Sequence, residues 1–369
     1  MRSRVESRES RVRARWLSSQ LSTLNSQLKS DAAVAEKTKS GQLGLFGAEE
    51  PVSRRRGPDA ADRLAREYEI ASRIAERLPR NVFFGTSTWS FPDWEGIVYS
   101  RRRTTAQLAR EGLLEYARHP LLTTVGIDRS FYAPIPREDL ERYAAQLPAG
   151  FPCCAKAPQA VTSAVIAGPG REGARRGNPE YLEPRRFLEE IVAPFLDVFA
   201  DHAGPVILQF PPSPSGQRLA PGTFAGRLGR FLAALPTTLR YAVELRDPAL
   251  LTPDYRDALT ENGVAHVYNY SGTMPMPAVQ AEIIPTDAAP FAVIRLLMPP
   301  GNRYEERREA LAPFNRLSEP DEEMRREVAA LALAAASKNR PVYILVNNKA
   351  EGCSPLTIRA LAEILAGES

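Results

Sequence analysis

Cysteine and histidine are scarce, and long apolar runs are missing. Cys153, Cys154 and Cys353 are the three cysteines in 369 residues. They are too few to form a disulfide framework, and they suit a reducing compartment and a core held by burial alone. The three histidines, His119, His202 and His266, share no local spacing, which excludes zinc fingers and HExxH proteases. No stretch of 18 apolar residues occurs, so a transmembrane helix is excluded and no membrane partner is expected. A P-loop, a GxSxG elbow and a Ser/His/Asp ordering are also absent, which removes the simplest signs of nucleoside-triphosphate and serine-hydrolase chemistry.

What is present is an ordinary globular balance, 43% hydrophobic and 25% charged, enough for one large domain or two smaller ones. The net charge of +4 is unevenly spread. Residues 1–56 hold 12 Lys/Arg against 6 Asp/Glu, leaving 36 basic and 38 acidic residues for the rest. The basic character therefore belongs to the leader and does not mark the body as a nucleic-acid binder. Residues 1–58 cycle Arg, Ser and Glu and then Leu, Ser and Gln without a sustained apolar stripe, so a disordered, low-complexity leader is expected. An organelle transit peptide, a start codon placed too far upstream and a basic tether are the other readings of it. Residues 59–79 read as an amphipathic helix, with Leu64, Tyr68, Ala71, Ile74 and Leu78 at spacings of three and four and Pro79 at its end.

From residue 80 to 366 the pattern alternates. Strand-like runs fall at Val82–Ser87, Thr123–Ile127, Phe151–Ala155, Val206–Phe210, Tyr241–Leu245, Val264–Tyr268, Phe291–Leu297 and Val342–Val346. Several are apolar on both faces, as in buried parallel sheets. Helical stretches separate them at Ala106–Arg118, Arg137–Gln146, Pro184–Phe199, Phe224–Leu235, Pro253–Glu261, Asp321–Ala336 and Leu356–Leu365. The interval between the sixth and seventh strands is the weak one, interrupted by Pro275, Pro277 and Pro285. Eight such units predict an α/β fold, a TIM (β/α)₈ barrel. A doubly wound sheet is the alternative, but its first turn would be glycine-rich, and here it reads GTSTWS.

A barrel delivers its reacting groups from the C-terminal ends of its strands. Polar residues occupy nearly all of those ends: Asp128 and Tyr132, Lys156, Gln209, Glu244 and Arg246, Asn269, Arg295, and Asn347 with Asn348. Glu244, Lys156 and Asp128 are the catalytic candidates, a carboxylate tuned by Arg246 and an amine able to donate a proton or grip an anion. Arg295 sits within FAVIRLL, so its charge must face the lumen and find an anion. Arg246, Arg295, Asn347, Asn348, Tyr132, Gln209 and Asn269 are candidate substrate contacts. So are Trp89 and Trp94, which either stack on a ring or plug the barrel top. Two acidic strand ends and a histidine inside a strand do not make a metal site, and neither metal nor cofactor is expected.

These residues resemble the domain-of-unknown-function-72 family, also called YecE-like, whose members form TIM barrels. GTSTWSFPDWEGIVY at the first strand carries the likeness, with FYAPIP, AKAPQAVT, LQFPPS, VELRDP and NNKAEG after later strands. The resemblance implies the barrel and leaves the activity unassigned. The chain departs from the family pattern at four places, one being the missing glycine after the seventh-strand arginine, since Arg295 leads into LLMPPG. Gly126 and Asp128 stand where an acid and an amide are usual, Thr162–Ser163 where threonine–histidine is usual, and Asp247 where histidine is usual. Two functions stay open. One is an enzyme or binding protein for a phosphorylated or carboxylated small molecule at the barrel mouth. The other is a non-catalytic nucleic-acid-binding or repair-associated module using the aromatic cluster and the basic leader.

Overall fold

A strand that is apolar on both faces must be covered on both, and eight of them in one chain can satisfy each other by closing on themselves. A computed structural model describes residues 59–167, 175–212 and 218–367, and the predicted disordered leader lies outside them. The strands are β1 (Val82–Thr86), β2 (Val125–Ile127), β3 (Cys153–Lys156), β4 (Ala203–Phe210), β5 (Tyr241–Leu245), β6 (Ala265–Tyr270), β7 (Ala292–Leu296) and β8 (Val342–Val346). They form one parallel sheet in the order β1-β8-β7-β6-β5-β4-β3-β2. Neighbours in space are thus neighbours in sequence, with no reversal of strand order, and this excludes the doubly wound alternative.

The two ends of the sheet meet at a seam between β1 and β2. The Thr123 and Thr124 N–H groups donate to the Phe84 carbonyl at 2.8 and 3.0 Å, and the Phe84 N–H donates to Thr123 Oγ1 at 3.2 Å. Further along, the buried Tyr116 hydroxyl replaces the ladder. It accepts from the Thr86 N–H at 2.9 Å, lies 2.9 Å from Thr86 Oγ1 and donates to the Thr124 carbonyl at 3.1 Å. Glycine is required here, because a Cβ on Gly85 would lie 2.1 Å from the Thr124 carbonyl oxygen. A Cβ on Gly126 would lie 2.9 Å from that of Ser87. The seam thus leaves no room for a side chain at Gly126.

Helices cover the outside. Helix Ala60–Ala75 ends four residues before Pro79, and its Glu67 receives a hydrogen bond from Arg359 of the last helix, Ser354–Leu365. The predicted helix 106–118 breaks at Gly112 into Thr105–Glu111 and Leu113–Tyr116. The predicted helix 184–199 passes through a π turn, Leu188–Val192, just before Pro194, which lacks an N–H and cannot continue an α ladder. The weak interval does hold a short helix, Pro277–Ile283. An antiparallel strand pair, Val165–Ala167 with Arg175–Gly177, and a helix, Tyr304–Leu311, were not anticipated. No helix among the described residues is long and apolar enough to cross a membrane.

The lumen is filled in layers. Cys154, Ile207, Ala242, Val267, Val293 and Leu345, one from each of β3 to β8, share one buried cluster with Phe83, Phe291 and Tyr343. Cys153 belongs instead to the cluster between sheet and helices, as alternation along a strand requires.

Candidate functional site

Two residues beyond each member of that apolar layer, the same strand face returns to the lumen one step nearer the C-terminal mouth. Those positions are Lys156, Gln209, Glu244, Asn269, Arg295 and Asn347. The chain thus turns its lumen from entirely apolar to polar within a single step along every strand from β3 to β8. Gln209 stands in register with Glu244, and Asn269 with Arg295.

Arg295 is the hub. It is fully buried and donates through Nη1 to Glu244 Oε2 and through Nη2 to both Asp128 oxygens at 3.2 Å. The other Glu244 oxygen accepts from Arg246 Nε at 2.5 Å, and Arg246 Nη2 reaches Gln209 Oε1 at 3.4 Å. Lys156 Nζ lies 3.1 Å from Asp128 Oδ2 and 5.3 Å from the centre of the Phe131 ring. One connected network therefore holds Asp128, Lys156, Gln209, Glu244, Arg246 and Arg295, from β2 through β5 and β7.

Its electrostatics follow from burial and partnering. Burial alone would push the Glu244 carboxyl up, but Arg246, Arg295 and Lys156 outweigh it and hold the group down to about 2. Burial also opposes the Arg295 charge, yet Glu244 and Asp128 keep the guanidinium protonated. The Lys156 amine is lowered, first by burial and then by Arg295, against the pull of Asp128 and Glu244. Glu244 is thus an ionised anchor with both oxygens engaged, too acidic to take up a proton near neutrality. Lys156 is one group here whose proton is easier to release than an ordinary lysine's.

Lys349 follows Asn347 and Asn348 in the turn after β8. Its Nζ sits 4.2 Å from the centre of the Tyr304 ring. Its pKa falls to about 8 through burial and Arg308, opposed by Asp128 and Glu305. The NNK run after β8 did signal a polar strand end. Tyr304 gave no signal, because it lies on the unanticipated helix.

The remaining candidates are placed elsewhere or are otherwise engaged. The Asn347 amide oxygen accepts from the Lys349 N–H at 3.0 Å and so shapes that turn. Asn348 is buried and accepts from the Ser354 N–H and hydroxyl at 2.8 and 2.7 Å, fixing the start of the last helix. Asn269 donates to the Leu245 and Val267 carbonyls at 3.1 and 3.3 Å and accepts from Ser271 at 2.8 Å. Trp89 and Trp94 are core residues, 4% and 0% exposed. Trp89 donates to the Leu108 carbonyl at 2.9 Å, and Trp94 packs between Phe91 and Tyr99. Tyr132 is 72% exposed. Asp247, in place of the family histidine, accepts from the Ala249 N–H at 3.1 Å and pairs with Arg218 at 2.6 Å, which gives it a local structural task. Among the described residues no group of three His, Cys, Asp or Glu side chains is disposed to hold a metal. The three cysteines are free and buried.

The comparisons with known proteins agree with this architecture. A family model described as "Protein of unknown function DUF72" matches residues 83–369. The fold is similar to that of a DUF72 family protein from Thermotoga maritima, at 17% identity and a TM-score of 0.53, over 77% of this chain and 98% of that one. It is also similar to one from Enterococcus faecalis, at 17% identity and a TM-score of 0.52, over 78% of this chain and 96% of that one. No curated protein matches the sequence.

Proposed function

We propose, for a chain that belongs to the DUF72 family of proteins of unknown function, that the barrel mouth binds a phosphorylated or carboxylated substrate and transfers a proton to or from it. One observation carries the reading. Four cationic side chains, Lys156, Arg246, Arg295 and Lys349, gather at one end of the lumen with two carboxylates, Asp128 and Glu244, among them. Arg295 commits both of its Nη groups to those carboxylates, and its buried Nε makes no hydrogen bond among the described residues. Lys156, Arg246 and Lys349 keep N–H donors beyond their present bonds, since a lysine has three and an arginine five. A partly buried, preorganised set of cations favours an anion that brings its own charge to the site.

The division of labour follows. Arg246 and Lys349 grip the anionic group. Lys156, with its lowered pKa and its bond to Asp128, moves the proton. Glu244 and Arg295 hold the others in place, so the sequence-based acid/base role for Glu244 passes to Lys156. No step in this scheme calls on a metal. A cytoplasmic setting suits the three unpaired cysteines. The nucleic-acid-binding alternative is weaker, because both tryptophans meant for stacking are core residues. Affinity that collapses with salt and disappears on deletion of residues 1–58 would identify that alternative.

The test is calorimetric titration with inorganic phosphate. Arg246→Ala and Lys349→Met should each weaken binding by about tenfold or more, the worth of one or more charge-assisted hydrogen bonds. Phosphate binding of parental strength in both variants would refute the assignment.

A further inference from the structure

Two of the large aromatic side chains at the surface stand beside the charged mouth. Tyr132 is 72% and Tyr304 52% exposed, and among the described residues they are the most exposed aromatic side chains. Each is joined to a mouth cation. Tyr132 packs edge-on against Phe131 with ring centres 5.4 Å apart, and Phe131 carries Lys156 above its face. Tyr304 carries Lys349 above its own face at 4.2 Å. Tyr132 also senses Tyr304, and both phenols sense the same carboxylate. Tyr132 is raised by partial desolvation, then by Tyr304 and Asp128, and Asp128 acts on Tyr304 as well.

The Tyr304 side is braced from behind. Arg307, on the same helix, is buried. It donates to the Lys349 carbonyl through Nε and to the Ala350 carbonyl through Nη2, both at 2.8 Å. Its Nη1 bonds Glu319. A helix with little apolar surface is thereby tied to the turn that carries Lys349, and ring and amine are held as a unit before any ligand arrives. Exposed aromatic faces ordinarily cost solvation, and fixing them in place beside cations is useful when a flat partner covers them.

We infer that the mouth takes an anion carrying a planar ring, with the anionic group on Lys156, Arg246 and Lys349 and the ring against Tyr132 and Tyr304. Nucleoside monophosphates and aromatic carboxylates share that chemistry. The inference rests on the anion-binding reading above and adds the ring to it.

The experiment compares ring-bearing with ring-free anions on the full-length protein. AMP is titrated against ribose 5-phosphate, and 4-hydroxybenzoate against acetate, in the parent, Tyr132→Leu, Tyr304→Leu and Tyr304→Phe. In at least one pair the ring-bearing anion should bind about tenfold tighter or more, the usual yield of one stacked ring. The pair that shows the gain tells a nucleotide from an aromatic carboxylate. Each leucine variant should cut the gain while leaving the ring-free anion within about twofold, and Tyr304→Phe should retain it. Both tyrosines are exposed, so melting curves of the leucine variants should match the parent. Equal binding of ring-bearing and ring-free anions would overturn the ring and spare the anion site. A ring preference that survives both leucine variants would place the ring elsewhere and overturn the inference. No binding of any of the four, or of phosphate, would overturn the anion site and the ring together.

Discussion

Glu244 changes character between sequence and structure. As a lone strand-end carboxylate it reads as an acid/base. With one oxygen on Arg246 and the other on Arg295 it is a fixed negative charge beneath a cationic mouth. Glu244→Gln should therefore destabilise the fold by about 3 kcal/mol or more near neutrality, because a buried guanidinium loses its closest counter-charge. The sign with pH is definite. A carboxyl held below its ordinary value of 4.5 contributes stability above that value and loses it as pH falls toward about 2. Thermal melts of parent and variant should thus differ most at neutral pH and converge at the acid end. Equal melting of the two at neutral pH would return Glu244 to the catalytic list. What was legible at this scale was position. Lys156, Gln209, Glu244, Asn269, Arg295 and Asn347 were all read as strand ends from the sequence, and all lie one step above the apolar layer. What was not legible was partnership. Asn269 looks like a ligand contact until its amide is seen to be bonded to the Leu245 and Val267 carbonyls and to Ser271, Asn348 until its oxygen is seen to be taken by Ser354 while its Nδ2 is buried without a partner, and Trp89 and Trp94 look like platforms until their burial is known.

Among the elements, β1 and β2 are the pair most dependent on side chains. Their seam has a few backbone bonds near Phe84 and then relies on the Tyr116 hydroxyl, which joins Thr86 to Thr124. Tyr116→Phe should cost about 1–3 kcal/mol, since it leaves a buried N–H and a buried carbonyl without their partner. Chemical denaturation measures this directly, and an unchanged midpoint and slope would show that the seam closes without the hydroxyl. The element pattern was legible where apolar periodicity is strong, as in all eight strands and the long outer helices. It failed where other forces set the structure. Helix Tyr304–Leu311 reads YEERREAL, with two large side chains seven apart and no stripe between them. Its anchor is Arg307 on two carbonyls, a contact to residues more than 40 positions away. The strand pair Val165–Ala167 with Arg175–Gly177 is too short for a period to register.

At the scale of the whole molecule, the chain separates stability from chemistry along the barrel axis. The lower lumen is a packed, largely apolar plug, and the carboxylates and cations of the mouth gather where the strands end. The architecture was legible because closure of eight β/α units is a property of order and spacing, which a sequence displays. The small net charge of the chain hid the cationic mouth, because charge at a site depends on which residues converge. The clearest view of that convergence is a crystal structure of the protein soaked in tungstate, a tetrahedral oxyanion like phosphate whose anomalous signal marks its position. Density among Lys156, Arg246 and Lys349, weakened in Arg246→Ala, is the predicted result. Tungstate bound elsewhere on the barrel, with the mouth empty at saturating concentration, would contradict it.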